Sequence, residues 1–373
     1  MFANGQVVIQ FMEQFAPKHY AVENDKIGLQ LGTLQKEVRK VLIALDVTEE
    51  VVDEAIFVGA QLIIAHHAII YRPLAKLDTS TPAGKLYEKL IKNDIAVYIS
   101  HTNLDVTAGG MNDWMADLLG INEQGRDCLE AVHSDQLYKL VVYVPETHAD
   151  QVLQALWRAG AGEIGNYSHC SFTSDGTGTF LPGEHTDPYI GKQGKLERVA
   201  EKRIEIIVPD SIRRKAVQAM IKAHPYEEAA YDLFPVDVKG PSLGLGRVGK
   251  LGEPVSLTAM VERVKQAFDV PYVRVVGDPD RVIRKAAVLG GSGARYLKYA
   301  QFAGADVLIT GDIDYHTAHD AIAAGVALID PGHNVEKIMK PRLAEWLNEK
   351  LAAGKYTTEA IPSTLSTEPF RFA

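Results

Sequence analysis

Two adjacent histidines, His66 and His67, directly follow a short apolar run, Leu62 to Ala65. Successive side chains alternate along a strand, so both rings can approach one centre only where the strand ends and the chain turns. Imidazole nitrogens placed in this way suit two neighbouring metal ions, one ring for each ion. The alternative for an isolated pair is one histidine in the core and the other in solvent.

Two further segments carry metal-binding residue types in similar positions. Asp105 follows the next apolar run, although aspartate at such a place also caps helices and forms turns. His333 and Glu336 lie three residues apart, which places both side chains on one helix face. The alternative for Glu336 is a capping box, in which its side chain caps the N-terminus of the helix. Three imidazoles and two carboxylates without thiolate indicate two divalent ions, Zn²⁺, Mn²⁺ or Fe²⁺, and do not choose among them. The candidate ligands are His66, His67, Asp105, His333 and Glu336.

Other polar side chains follow the predicted strands and are close in sequence to the candidate ligands. His101, Asp312 and His316 are candidates for orienting the ligands or for transferring protons. The alternative for each of the three is a purely structural role. Five ligands for two ions also leave positions open for water or substrate, which favours catalysis over a structural role for the ions.

Candidate substrate contacts rest on weaker patterns. Arg72, five residues past His67, could bind an anionic group, and a solvated or paired arginine is the alternative. The GGSG segment, which includes Gly291 and Ser292, stands between an apolar run and a predicted helix, where backbone N–H groups can bind phosphate. It lacks the Lys-Ser/Thr of a P-loop, so a tight turn is the favoured alternative.

The elements that position these residues are short apolar runs that alternate with segments of helical period. Continuous apolar strands separated by helices predict a mostly parallel sheet that is buried on both faces, with ligands bound beyond the carboxyl ends of its strands. The predicted strands are Val41 to Leu45, Leu62 to Ala65, Ile95 to Ile99, Ala286 to Leu289, Val307 to Thr310 and Val326 to Ile329. The predicted helices between them are Pro82 to Lys92, Met111 to Leu119, Ala294 to Ala303 and His316 to Ala324.

The middle of the chain has a different pattern, which predicts a β-α-β-β-α-β order, the ferredoxin-like arrangement. Its predicted elements are Tyr138 to Pro145, Ala149 to Ala159, Ser168 to Phe180, Arg203 to Pro209, Ser211 to Ala223 and Ala229 to Val236. We therefore predict an α/β protein with two domains. Residues 1–129 and 239–373 form a discontinuous α/β domain, and residues 130–238 form an inserted ferredoxin-like α+β domain.

Composition excludes several classes of protein. The formal net charge is −9 and only two cysteines are present, which argues against a nucleic-acid binder, a disulfide scaffold and a thiolate zinc site. The first residues lack a basic segment followed by a long apolar run, and no window is apolar enough to span a membrane. We expect a cytoplasmic protein without membrane association.

Several segments resemble the signature segments of one family. IAHHAIIYRPLAKL, SHTNLDVTAGGMND and TGDIDYHTAHDAIAAGVALIDPGHNVEK are similar to segments of the Nif-three-like family, whose members are named GTP cyclohydrolase 1 type 2 homologs. ENDKIGLQLG resembles the opening segment of that family, and HPYEEAAYDLFPV resembles the PYEE segment of its longer bacterial members. The segments stand in the same order and extend over nearly the whole chain.

The resemblance implies a di-metal centre with ligands at His66, His67, Asp105, His333 and Glu336. It also implies a toroidal homohexamer and an insert similar to the PII and cation-tolerance modules. His319 has no counterpart in the family, so we interpret it as a helix-surface residue. Two functions are compatible with these features, a metal-dependent hydrolase of a nucleotide or other phosphorylated small molecule, and a non-catalytic metal-binding adaptor or regulator.

Overall fold

The computed structural model describes residues 1–165 and 167–371. The chain separates into two compact units, of which unit 1 is Met1–His133 with Leu243–Ala373 and unit 2 is Ser134–Ser242. The domain boundaries given above stay a prediction, and their residues 166, 372 and 373 lie outside the described part. No helix in the described part is long and apolar enough to cross a membrane.

The strands are numbered in chain order. They are β1 (Ala3–Asn4), β2 (Gly28–Leu31), β3 (Glu37–Val38), β4 (Lys40–Ala44), β5 (Leu62–Ala65), β6 (Ala96–Ile99), β7 (Glu130–Pro145), β8 (Ser171–Phe180), β9 (Glu197–Pro209), β10 (Tyr231–Leu245), β11 (Arg247–Ser256), β12 (Arg274–Val276), β13 (Val282–Ser292), β14 (Val307–Gly311), β15 (Ala327–Asp330) and β16 (Glu359–Pro362).

The helices are numbered in the same way. They are α1 (Gly5–Phe15), α2 (Glu49–Val58), α3 (Pro82–Lys92), α4 (Thr102–Val106), α5 (Met111–Leu118), α6 (Ala149–Ala159), α7 (Asp210–Ala223), α8 (Leu257–Phe268), α9 (Leu297–Phe302), α10 (Tyr315–Ala324) and α11 (Met339–Ala353). Short 3₁₀ helices are Lys18–Tyr20, Glu146–His148, Ala294–Tyr296 and His333–Ile338.

Unit 1 contains two five-stranded sheets. The first has the order β16-β4-β5-β6-β2, in which β16, β4, β5 and β6 are parallel and β2 is antiparallel at the edge. The second has the order β11-β13-β14-β15-β12, in which the three central strands are parallel and both edge strands are antiparallel. The sequence pattern predicted one mostly parallel sheet. Apolar runs identify buried strands but do not tell which strands pair, so the division into two mixed sheets was missed.

The core of unit 1 explains why these strands are apolar throughout. Ile43 and Ile64 belong to a core cluster that also includes Ile309 and Ile329 of the second sheet. Leu42 and the other side chains on the opposite face of the first sheet belong to a separate buried cluster with α2 and α3. Because side chains alternate across a strand, burial of both faces requires an apolar residue at nearly every position.

Unit 2 contains a four-stranded sheet and two helices in the chain order β-α-β-β-α-β, while β1 and β3 form a separate two-stranded sheet. Its sheet has the order β10-β7-β9-β8, and β9 is antiparallel to both β7 and β8. The buried face packs against α6 and α7 through a core that includes Leu140, Leu156, Ile204 and Met220. The observed α6 has the same bounds as the predicted helix, since its apolar side chains recur at helical spacing and Gly160 ends it in the left-handed conformation.

Candidate metal centre

Four imidazole rings meet at the carboxyl ends of strands in unit 1. The ring centroids of His66 and His67 are 5.2 Å apart, those of His66 and His101 are 4.8 Å apart, and those of His67 and His333 are 5.2 Å apart. Two overlapping groups have ligand atoms that all lie within 4.8 Å of one another. The first group is His66, His67 and His101, and the second is His67, His333 and Glu336.

Two buried carboxylates accompany the rings. Glu336 Oε2 lies 3.1 Å from His67 Nε2 and 3.3 Å from His333 Nε2, while Glu336 Oε1 lies 3.7 Å from His66 Nε2. Asp105 Oδ1 lies 3.8 Å from His66 Nε2 on the other side. Glu336 therefore stands between three of the rings, where it can contact two neighbouring ions.

Carboxylates behind two of the rings fix their orientation. Asp46 Oδ1 lies 2.7 Å from His67 Nδ1, and Asp312 Oδ2 lies 2.7 Å from His333 Nδ1. A carboxylate can only accept here, so each Nδ1 donates and each Nε2 faces the centre. Hydrogen bonds of this kind are the usual support for histidines that bind metal.

The other two rings have equivalent partners. His66 Nδ1 donates to the carbonyl oxygen of Ser100 at 3.0 Å, and His101 Nδ1 lies 2.9 Å from Asp25 Oδ1. Asp25 also accepts from the Thr102 backbone N–H at 3.1 Å. All four histidines thus use Nδ1 for support, and the Nε2 atoms of His66, His67 and His333 approach Glu336.

Local structure accounts for how these residues come together. The chain turns after β5, and Gln30 of β2 holds the turn, since its Oε1 accepts from the backbone N–H groups of Ile69 and Ile70 at 2.8 Å each. His333 begins a 3₁₀ helix in which residues three apart lie almost above one another, and this brings its ring to Glu336. The α-helix begins only at Met339, so His333 and Glu336 share a face of the 3₁₀ helix rather than of an α-helix.

The electrostatics of the centre follow from these contacts. Although burial acts in the opposite direction, hydrogen bonds to Asp46 and Glu336 raise the pKa of His67 to about 10. The hydrogen bond to Glu336 is the main cause that raises the pKa of His333 to about 9. Burial raises the pKa of the Asp105 carboxyl, whereas the surrounding histidines hold the pKa of Glu336 well below its usual value despite its burial.

Two buried atoms at the centre have no hydrogen-bond partner among the described residues, and they are His66 Nε2 and Asp105 Oδ1. Leaving a buried polar atom without a partner costs about 1–3 kcal/mol. An imidazole nitrogen and a carboxylate oxygen that face each other at 3.8 Å are both good ligands for a divalent cation. The residues present therefore fit a metal ion.

A cavity of about 1110 Å³ opens over the centre. His67, His101 and His333 line it on the metal side, and Arg274 and Tyr71 contribute a cation and an aromatic ring. Its volume slightly exceeds the range of about 300–1,000 Å³ that is usual for small-molecule sites. Three of the possible metal ligands thus face a cavity that is large enough for a small molecule.

The predicted site residues differ in where the structure places them. His66, His67, Asp105, His333 and Glu336 lie together, and Asp312 contacts His333 as expected of an orienting residue. His101 stands among the possible ligands rather than behind them. His316 is exposed, and its ring contacts Tyr315 rather than the centre.

The predicted substrate contacts are not brought together as a phosphate site. Arg72 is exposed and is not among the residues that line the cavity. Gly291 and Ser292 belong to β13, where Gly291 forms a bulge with φ +63°. A Cβ atom at Gly291 would lie 2.7 Å from Glu336 Oε1, so Gly291 makes room for a possible metal ligand. The segment that follows is a single 3₁₀ turn and a six-residue helix, not the predicted helix from Ala294 to Ala303.

Sequence reasoning missed the supporting carboxylates Asp25 and Asp46. Asp46 ends the apolar run of β4 in the same way as His66 ends that of β5, and this position was its only signal. Asp25 lies 76 residues from His101 and shows no pattern of its own.

The comparisons with known proteins agree with one another. The family model described as Duf34/NIF3 (NGG1p interacting factor 3) matches residues 3–369. A Halalkalibacterium halodurans protein named GTP cyclohydrolase 1 type 2 homolog is 55% identical over 370 residues, which are 99% of each chain. A Bacillus subtilis protein of the same name is 49% identical over 369 residues, which are 99% of this chain and 98% of the relative.

A solved structure gives the same result for the fold. A Bacillus cereus protein described as related to NIF3 superposes with a TM-score of 0.89 at 52% identity, and all of both chains is covered. Family model, relatives and structure extend over both units. The chain belongs to the Duf34/NIF3 family.

Proposed function

We propose that unit 1 holds two divalent metal ions and that the protein is a metal-dependent hydrolase of a nucleotide or another phosphorylated small molecule. The observation that carries this proposal is the pair of overlapping ligand groups, which share His67 and open into the large cavity. Asp105 lies beside His66 of the first group, and Glu336 of the second group approaches both His66 and His67. Zn²⁺, Mn²⁺ and Fe²⁺ all suit such mixed nitrogen and oxygen ligands.

When bound, such ions polarise an electrophilic centre and activate water for attack. The side chains of the protein hold the geometry, since Asp46 and Asp312 keep the rings of His67 and His333 aimed at the centre. Arg274 lines the cavity with 64% of its side chain exposed, and it pairs with Asp330. Its guanidinium is therefore placed to bind an anionic group of a substrate. The name of the relatives, GTP cyclohydrolase 1 type 2 homolog, suggests a nucleotide.

For unit 2 we propose a ferredoxin-like fold similar to the PII and cation-tolerance modules. The chain order β-α-β-β-α-β and the strand order β10-β7-β9-β8 support this assignment. A homohexamer is the assembly that we propose for the whole chain. Sedimentation velocity tests the assembly, because a hexamer and a monomer differ sixfold in mass.

Elemental analysis of protein purified without chelator tests the metal centre. We expect about two transition-metal ions per chain, and a lower content in the variants His67→Ala and Glu336→Ala. His319→Ala is the matched control, because His319 is exposed on α10 and belongs to neither ligand group. Protein that is folded, empty and unable to take up metal would exclude the proposed centre and the hydrolase that depends on it.

Catalysis needs a separate test. Nucleotides and other phosphorylated compounds are offered to the metal-loaded protein, and products are followed by chromatography. Hydrolysis that chelator abolishes and added metal restores supports the hydrolase. A fully loaded centre without turnover of any compound favours the non-catalytic metal-binding function instead.

A further inference from the structure

The chain beyond β16 runs from the edge of the first sheet to the metal centre. β16 is parallel to β4, and Pro362 pairs with Ile43 near the end of both strands. The segment that follows continues in the same direction as β4 and therefore reaches the edge where Asp46 lies. Its residues Thr367 to Arg371 form part of the cavity wall.

Two anchors hold the beginning of this segment in place. The hydroxyl groups of Ser363 and Thr364 donate to Glu54 of α2, at 2.5 and 2.6 Å. Lys340 of α11 donates to the carbonyl oxygen of Leu365 at 2.8 Å. None of these contacts involves a possible metal ligand, so the beginning of the segment is held without the centre.

The next hydroxyl group contacts the centre itself. Thr367 Oγ1 donates to Asp46 Oδ2, while the other oxygen of the same carboxylate holds His67 Nδ1 at 2.7 Å. The His67 Nε2 atom at the far side of the ring lies 3.1 Å from Glu336. A continuous chain of hydrogen bonds thus leads from Thr367 through Asp46 to a possible metal ligand.

A second chain of the same composition supports another ring. Thr102 Oγ1 donates to Asp25 Oδ2, and Asp25 Oδ1 lies 2.9 Å from His101 Nδ1. Thr102 is adjacent in sequence to the histidine that it supports, whereas Thr367 is separated from Asp46 by 321 residues. The same threonine–aspartate–histidine arrangement therefore occurs twice at one centre. In one case the threonine is adjacent in sequence to the histidine, and in the other it comes from a distant segment.

From these contacts we propose that Thr367 is a positioning residue of the metal centre, which fixes Asp46 and through it the ring of His67. The inference rests on the proposed binding of metal. One third of the Asp46 side chain is exposed, so without the hydroxyl its carboxylate is free to turn towards water. His67 would then lose the restraint that aims its Nε2 atom at the ion.

Titration of the protein stripped of metal with Co²⁺ tests the proposal, since Co²⁺ binding is followed by visible absorption. Thr367→Val keeps the size of the side chain and removes the hydroxyl. We expect it to weaken binding about tenfold, the lower end of the range of about 10–100-fold for residues that orient metal ligands. Thr367→Ser retains the hydroxyl and should restore the affinity to within about twofold of the wild type.

Thr364→Val is the matched control, because Thr364 lies in the same segment and also donates to a carboxylate, that of Glu54. It should leave the affinity for Co²⁺ unchanged even if it lowers the melting temperature. Wild-type affinity in Thr367→Val, or equal weakening in both valine variants, would overturn the positioning role. A wild-type protein that binds no Co²⁺ would instead overturn the metal centre, and the inference with it.

Discussion

A methyl group added at Gly291 should displace two possible metal ligands. The Cβ atom would lie 2.7 Å from Glu336 Oε1 and 3.2 Å from His333 Nε2. Ordinary van der Waals contact begins at 3.4 Å, so the carboxylate must move by about 0.7 Å. Gly291→Ala therefore acts on two possible metal ligands at once.

The size of the effect follows from two contributions. Alanine at φ +63° costs about 1–2 kcal/mol, which lowers the stability of the fold but not the affinity for metal. Metal–ligand distances tolerate changes of only about 0.2 Å, so a displacement of about 0.7 Å breaks or strains the bond to Glu336. We expect at least tenfold weaker metal binding, which corresponds to about 1.4 kcal/mol.

Gly304→Ala separates the two contributions. Gly304 has φ +70°, and nothing lies within 4 Å of the Cβ atom that alanine would add. Both variants should lose similar stability in urea denaturation, and only Gly291→Ala should bind metal more weakly in titration calorimetry. Equal metal affinity in the two variants would refute the argument that Gly291 makes room for Glu336.

Three further predictions concern the same centre. Asp105→Asn should lower the metal content in elemental analysis while circular dichroism stays unchanged, because Asp105 lies beyond the strands that carry the packing; full occupancy would contradict its role as ligand. Asp312→Asn should weaken metal binding about 10–100-fold in titration calorimetry, because it alters the hydrogen bond to His333 Nδ1, and unchanged affinity would argue against an orienting role. In protein stripped of metal, the pKa of His67 is raised to about 10 and that of His333 to about 9, from 6.5 for both in the unfolded chain. The two histidines therefore stabilise the fold fully below pH 6.5, and this contribution is lost as the pH rises through 9 and 10. Urea denaturation should show a free energy of unfolding that falls between pH 6.5 and 10. A free energy of unfolding that rises over this pH range would contradict the raised pKa values of His67 and His333.

Local patterns in the sequence predicted many of the helices and strands. The helix from Pro82 to Lys92 was predicted with its observed bounds, since Thr81 caps its first turn, proline begins it and apolar residues recur at helical spacing. The strand predicted from Ala286 to Leu289 is only the buried middle of β13, which extends back to Val282 where it pairs with β11 and on to Ser292 where it pairs with β14. Partners supplied by distant segments leave no mark on local composition.

The same limit applies to the site. His66 and Glu336 were predicted as ligands because metal sites need particular residue types, and these types stood at the ends of apolar runs. The local sequence does not distinguish the aspartates that support the rings from other aspartates, because the histidines that they support come from distant parts of the chain. Whether His101 binds metal or supports another ligand depends on the direction of its ring, which its position in the sequence does not determine.

The position of β16 in the chain determines when the first sheet of unit 1 can be completed during synthesis. β4 is made early, but its outer neighbour in the sheet, β16, and Glu336 are made only much later. A growing chain therefore presents His66 and His67 long before the partners that finish the site exist. A metal site that includes Glu336 could form only after that residue has emerged, and a chain cut short before β16 would carry an open sheet edge, a feature that favours aggregation.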